Sequence, residues 1–203
     1  MHDSTIRVDI ATGLMAPARY CPSPNQDARP AGAEPELLVL HGISLPPGSF
    51  GGPAIERLFT NTLDWDSHEY FGTIRGLEVS AHLLIRRDGE LVQFVPFTRR
   101  AWHAGESEFR GASRCNDFSI GIELEGEDET PYTAAQYEVL IEIVAALLDS
   151  YDGLSVRRIA AHSDLAVGRK TDPGPAFDWL RLYDGLDARS VRPDEPVPGT
   201  RAT

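Results

Sequence analysis

The feature that most limits how this chain can fold is the run Leu37-Leu38-Val39-Leu40, closed by His41. Consecutive apolar residues cannot alternate between a wet and a dry face, so a strand made of them needs cover on both sides. A polar side chain at the end of such a strand emerges where the loops begin, in the crevice that open α/β sheets use for ligands. The segment Phe118–Glu125 has a different pattern. Phe118, Ile120, Ile122 and Leu124 fall on one face of a strand, and Ser119, Gly121, Glu123 and Glu125 fall on the other.

The remaining elements follow from local signals. Pro53 suits the first turn of a short helix carrying Ile55, Leu58 and Phe59 on one side. VSAHLLIRRDGELVQFVP predicts two strands, with Asp88-Gly89 supplying the positive φ angles of a tight hairpin, and residues 99–116 read as loop. Thr133 and Gln136 form a capping box, in which hydroxyl and amide each satisfy a free N–H of the first turn. Tyr137, Leu140, Ile141, Val144, Leu147, Leu148 and Tyr151 then repeat at helical spacing until Asp152-Gly153. VRRIAAH is a strand candidate ending in His162, and FDWLRLY a closing helix. Interleaved strands and helices with one hairpin predict an α/β fold, a central mixed sheet flanked by helices. A proline-rich coil arm is expected over residues 1–36, a single folded domain over 37–183 and a disordered tail over 184–203.

Composition narrows the function. With 31 acidic residues against 19 basic ones the formal charge is −12, which excludes the basic surface that nucleic-acid binding rests on. No uncharged apolar run approaches the ~18 residues of a membrane helix, and the N-terminus has no apolar leader core, so neither membrane nor export is expected. Two cysteines, Cys21 and Cys115, fit a reducing cytoplasm, and a monomer is expected. There is no GxSxG elbow, P-loop or GxGxxG. Glu123 and Glu125 at i, i+2 would approach a sugar from one side, which fits a two-carboxylate glycosidase poorly.

Among the histidines, His2 and His68 lie in polar surroundings, and His82 in an apolar strand fits the core or service behind a ligand. His41 and His162 each close a buried-looking strand, and Asp172 follows ten residues after the second. Two imidazoles and a carboxylate would leave a fourth zinc position for water, as catalytic sites do, although Asp172 also reads as a turn residue before Pro173-Gly174. Lys170 is the chain's one lysine, a point charge able to approach an oxyanion as an arginine fork cannot. Glu123 is the matching candidate for proton transfer, unless it and Glu125 are merely exposed strand carboxylates. Trp102-His103 could stack on a sugar ring or fill the core.

Read together, LLVLHGISLPPGSFGG, VSAHLLIRRDGELVQFVPF, RAWHAG, RCNDFSIGIELEG and AHSDLAVGRKTDPGPAFDW resemble the zinc-dependent N-acetylmuramoyl-L-alanine amidases, in particular their cytoplasmic 1,6-anhydro branch, in order from about residue 15 to 182. The resemblance implies a fold shared with peptidoglycan recognition proteins and one Zn2+ per chain on His41, His162 and Asp172. It implies Glu123 as catalytic glutamate and Lys170 as the transition-state lysine; beside these, Trp102, His103 and Arg114 are expected as substrate contacts, the bidentate fork of Arg114 pairing with stem-peptide carboxylates. The substrate it implies is a soluble muropeptide of cell-wall recycling, with an indirect influence on β-lactamase induction. A non-catalytic peptidoglycan-binding module and an amidase of intact wall are the alternatives. Gly42 and Glu78 depart from the asparagine and basic residue that close relatives tend to carry, which bears on stem-peptide preference.

Overall fold

The structure is a computed structural model and describes residues 5–189. In chain order the strands and helices are β1 (Arg7–Asp9), β2 (Leu14–Ala16), β3 (Arg19–Tyr20), β4 (Gln26–Ala28), β5 (Leu37–Ile43), α1 (Ala54–Phe59), α2 (Glu69–Thr73), β6 (Leu83–Ile85), β7 (Leu91–Gln93) and β8 (Arg99–Ala101). They continue with β9 (Glu108–Phe109), β10 (Ala112–Ser113), β11 (Ser119–Glu125), α3 (Ala134–Ser150), β12 (Ile159–Ala161), α4 (His162–Leu165) and α5 (Trp179–Asp187). A six-stranded mixed sheet in the order β12-β5-β11-β6-β7-β3 forms the centre. Its first four strands run parallel, and β7 reverses direction against β6.

The apolar run of β5 is fully covered, Leu37 through Leu40 each showing 0% exposure, and the two faces are covered differently. On one, Leu38, Leu40, Ile120, Ile122 and Leu124 meet Leu140, Val144 and Leu147 of α3 and Leu182 and Leu186 of α5. The capping box starts α3 as expected, with Gln136 N–H donating to Thr133 Oγ1 at 3.1 Å and Thr133 N–H to Gln136 Oε1 at 3.0 Å. Truncating a buried leucine of this layer, such as Leu140→Ala, would cost about 2–5 kcal/mol. Ile143 joins the buried stripe, whereas Ile141 is half-buried against α5. On the opposite face two smaller clusters divide the cover. Ile55, Leu58, Phe59 and Phe71 of α1 and α2 sit on Leu84, Val92 and Phe94, while Ala104, Cys115 and Leu165 sit on Leu37, Val39 and Ala160. The carboxyl ends of β5 and β11 open into a cleft whose apolar wall comes from the first of these clusters.

Four local expectations differ from what is observed. The hairpin is longer than a two-residue turn, because only Gly89 has positive φ (88°). Gly89 N–H donates to Arg86 O at 2.9 Å, and Arg86 N–H to Glu90 O at 2.9 Å, so a turn followed by one left-handed glycine closes the loop. Residues 99–116 carry β8, β9 and β10. The segment 1–36 carries β1 to β4, of which β3 extends the central sheet and β4 pairs with β8. Arg29 is one of the residues that bind that segment down. Its guanidinium donates to the carbonyls of Phe97, Asn116, Asp117 and Ser119 at 3.0, 3.4, 3.1 and 2.8 Å. Burial lowers its pKa to about 10. Backbone pairing, polar side-chain bonds and scattered apolar contacts such as that of Met15 leave little apolar periodicity for a sequence to display. In the tail expected over 184–203, α5 runs on to Asp187, and positions 190–203 lie outside the described residues.

Candidate metal centre and cleft

Sheet register builds the site. Glu123 is paired with His41 across β11 and β5, and parallel partners leave the sheet on the same face. Ala161 is paired with Leu40, which sets His162, the first residue of α4, beside His41. Asp172 reaches the same point from a loop that is folded on itself. Ala166 O accepts the amides of Arg169 and Lys170 at 2.9 and 3.1 Å, and Asp172 O accepts Ser163 N–H at 3.0 Å.

His41 Nδ1, His162 Nδ1 and Asp172 Oδ2 form a triangle of 3.0, 3.2 and 3.0 Å sides. A tetrahedral cation about 2.0–2.1 Å from each donor would hold them about 3.3 Å apart, so the set fits a metal ion with little movement. The imidazoles are 1% and 3% exposed. Burial depresses the His41 pKa to about 4, which keeps its ring in the neutral form that ligation requires. The neighbouring imidazoles hold the Asp172 carboxyl well below the usual range against the opposing effect of its burial. Asp172 stands in the expected turn, with Gly174 N–H donating to Thr171 O at 3.0 Å, and its carboxylate converges on the two histidines from there.

Glu123 is 8% exposed, and its Oε2 is buried without a hydrogen-bond partner. Burial and the nearby Asp172 push its pKa well up, while Lys170 opposes the shift. Lys170 is exposed on the cleft wall. Glu125 is not a twin of Glu123. It is 1% exposed and accepts from Gly51 N–H at 2.6 Å, Arg86 Nη1 at 3.1 Å and Arg87 N–H at 3.2 Å, a wholly structural set of bonds. The cleft encloses about 930 Å³ between this polar end and an apolar wall that includes Leu45, Phe59, Tyr70, Ile74 and Val79. Such a division suits a ligand with one reacting polar group and a longer body.

The other expected contacts separate. Trp102 lines the cleft and is half-buried, with its indole Nε1–H buried and free of any acceptor. His103 also borders the cleft, but it is 9% exposed and both ring nitrogens are engaged inside the protein, with His41 Nε2 at 2.9 Å and Ser119 Oγ at 3.0 Å. Arg114 is not among the lining residues. Its backbone is left-handed (φ 61°), and its exposed guanidinium pairs with Asp117 at 3.1 Å. Glu78 is exposed on the cleft wall. At Gly42 an added Cβ would lie 2.3 Å from the Tyr132 hydroxyl, which explains a glycine there.

Sequence reasoning missed Tyr132 and Asn116. The Tyr132 hydroxyl donates to Pro173 O at 3.0 Å, tying down the loop that carries Asp172. The Asn116 side-chain oxygen accepts both His103 N–H and Ala104 N–H, at 3.2 and 2.8 Å. The available signal was glycine: Gly42 and Gly126 both clear space for the Tyr132 side chain.

Residues 31–175 match the Amidase_2 family, described as N-acetylmuramoyl-L-alanine amidase. The 1,6-anhydro-N-acetylmuramyl-L-alanine amidase AmpD of Enterobacter cloacae is 56% identical over 181 residues, 89% of this chain and 96% of that protein. A crystal structure of a Se-Met AmpD derivative matches with a TM-score of 0.85 at 54% identity, covering 88% of this chain and 98% of the other. The E. coli N-acetylmuramyl-L-alanine amidase AmiD was solved as a complex with its substrate anhydro-N-acetylmuramic acid-L-Ala-D-gamma-Glu-L-Lys. It matches at 29% identity with a TM-score of 0.55, over 89% of this chain and 65% of that one. Family match, identity across nearly whole lengths and shared fold agree: the chain belongs to the N-acetylmuramoyl-L-alanine amidase family.

Proposed function

We propose that this chain is a zinc amidase of peptidoglycan recycling, cleaving the amide between the lactyl group of 1,6-anhydro-N-acetylmuramic acid and the L-alanine of a soluble stem peptide. One observation carries the chemistry: a buried carboxylate with an unpartnered oxygen, Glu123, stands beside three converging metal donors. The activity for which the AmpD relatives are named and the muropeptide held by AmiD support the substrate.

His41, His162 and Asp172 would hold the ion. Zinc, when bound, supplies a Lewis acid for the scissile carbonyl and lowers the pKa of a water toward ~7. Glu123 takes the proton of the attacking water at Oε2 and returns it to the leaving amine of L-alanine. Its raised pKa suits both halves of that transfer. Lys170 places an ammonium on the same cleft, where it offsets negative charge that develops on the carbonyl oxygen. The indole N–H of Trp102 offers a donor to the bound muropeptide.

Among the described residues no helix is long and apolar enough to cross a membrane. A cytoplasmic monomer acting on imported fragments is the setting proposed. There it would set the level of muropeptide available to any regulator that senses it, one controlling β-lactamase expression included. The test is incubation of purified protein with an anhydro-muropeptide, with and without chelator, and mass spectrometry of the products. Release of free stem peptide that chelator abolishes is expected. Equal rates on the reducing muramyl analogue would remove the recycling assignment, and efficient digestion of intact sacculi would replace it with a wall amidase.

A further inference from the structure

The two histidines of the metal centre are supported from behind in different ways. His162 Nε2 lies 3.2 Å from Ala104 O, a carbonyl that can only accept, so the ring proton sits on Nε2 and the Nδ1 lone pair faces the metal position. His41 Nε2 meets a nitrogen instead, His103 Nδ1, at 2.9 Å. For His41 Nδ1 to face the metal position unprotonated, His103 Nδ1 must accept, and His103 must then carry its own proton on Nε2, 3.0 Å from Ser119 Oγ.

We propose that His103 is a positioning residue of the metal centre: it accepts the Nε2–H of His41 and thereby directs the His41 Nδ1 lone pair to the metal, while the Ser119 hydroxyl holds His103 in the tautomer able to accept.

The surroundings are built for this. The His103 ring lies over Gly121, where an added Cβ would stand 2.5 Å from His103 Cγ, so a bare backbone is needed beneath it. Its main chain is fixed by the Asn116 oxygen, which at the same time fixes Ala104, the acceptor behind His162. One two-residue segment therefore supports both imidazoles. His82 lies further back, its Nδ1 accepting Gly121 N–H at 3.0 Å and its Nε2 facing Arg99 O at 3.1 Å, so it fixes the glycine and not the ligand.

The inference rests on the zinc reading above, and the experiment separates the two. Zinc affinity is measured by chelator competition on wild type, His103→Phe, which keeps an aromatic ring without hydrogen bonds, and His103→Gln, which restores an acceptor. Groups that orient a metal-bound histidine are typically worth 10–100-fold in metal affinity, so the phenylalanine variant should lose about that much and glutamine should recover most of it. At saturating zinc KM should stay within about twofold of wild type, because no substrate contact has been removed. Imidazole 15N spectra of the zinc-loaded wild type should show the His41 proton on Nε2. If His103→Phe does not fold, Ser119→Ala decides, with a loss of about threefold or more expected and unchanged affinity overturning the proposal. Wild-type zinc affinity in folded His103→Phe overturns it while leaving the zinc reading intact. So does a raised KM with unchanged affinity, which returns His103 to substrate contact. Wild type that binds no zinc removes both.

Discussion

The two sides of the metal triad are built on opposite principles. Behind it, polar groups are engaged with one another: His103, Ser119, Asn116 and Ala104 O are joined by hydrogen bonds in a region with almost no exposure. In front, Glu123 Oε2 and Trp102 Nε1 have none, and Lys170 stands in solvent. Unsatisfied buried groups are costly, and two of the three among the described residues, all but the Tyr151 hydroxyl, face this cleft, which marks where the chain reserves hydrogen-bonding capacity for a ligand. Substitutions behind should therefore act on the metal, and substitutions in front on the rate.

That division can be broken most directly at the ligands. His41→Ala, His162→Ala and Asp172→Ala should each lose most bound zinc and nearly all activity, read by metal analysis and turnover. A variant of the three with full zinc content removes its residue from the triad. Glu123→Gln should keep zinc and lose about 10²–10⁴-fold in kcat, since only proton transfer is deleted. Zinc loss on that change would place Glu123 among the supports instead. Lys170→Arg keeps the charge but changes the donor geometry, and a loss of roughly 10²-fold in kcat with zinc retained is expected. Near-wild-type turnover would leave the lone lysine without a catalytic part.

Smaller effects sharpen the contrast between the two glutamates of β11. Glu125→Gln weakens a buried pair with Arg86, so it should lower unfolding stability by about 3 kcal/mol while kcat stays within about tenfold. A kcat as low as that of Glu123→Gln, with stability intact, would contradict its structural part. Smallest is a pH effect at the edge of the same network. Arg19 and Arg86 hold the Glu56 carboxyl at about 2, against an ordinary 4.5. Its contribution is therefore complete above about pH 4.5 and is lost as pH falls toward 2. Glu56→Gln should flatten this part of the stability curve in acid denaturation, and an unchanged slope would show that the pairing adds nothing.

How much of this was legible follows from which residues leave a pattern. The apolar run of β5, the alternation in β11 and the capping box of α3 announce themselves, because burial and helix starts impose periodicity and fixed offsets. His41, His162 and Asp172 were each visible as residues at loop openings, but a spacing of 121 positions between the histidines carries no motif. The resemblance, and then the register of β12, β5 and β11, brings them together. The supporting residues were the least readable. Asn116 and Ser119 act through single hydrogen bonds to distant segments, and His103 looked equally suited to stacking on a sugar. Arg114 illustrates the same limit: a fork in a stretch of chain says nothing of its direction, and here its exposed guanidinium pairs with Asp117.

Arg29 carries a consequence for anyone redesigning this enzyme by its boundaries. The family match begins at residue 31, so a version trimmed to it would keep all three metal donors, Glu123 and Lys170. It would also discard Arg29, whose guanidinium caps four main-chain carbonyls, two of them on Asn116 and Ser119, the residues that hold His103 in place. Such a minimal enzyme would be complete by inventory and loosened at its foundation.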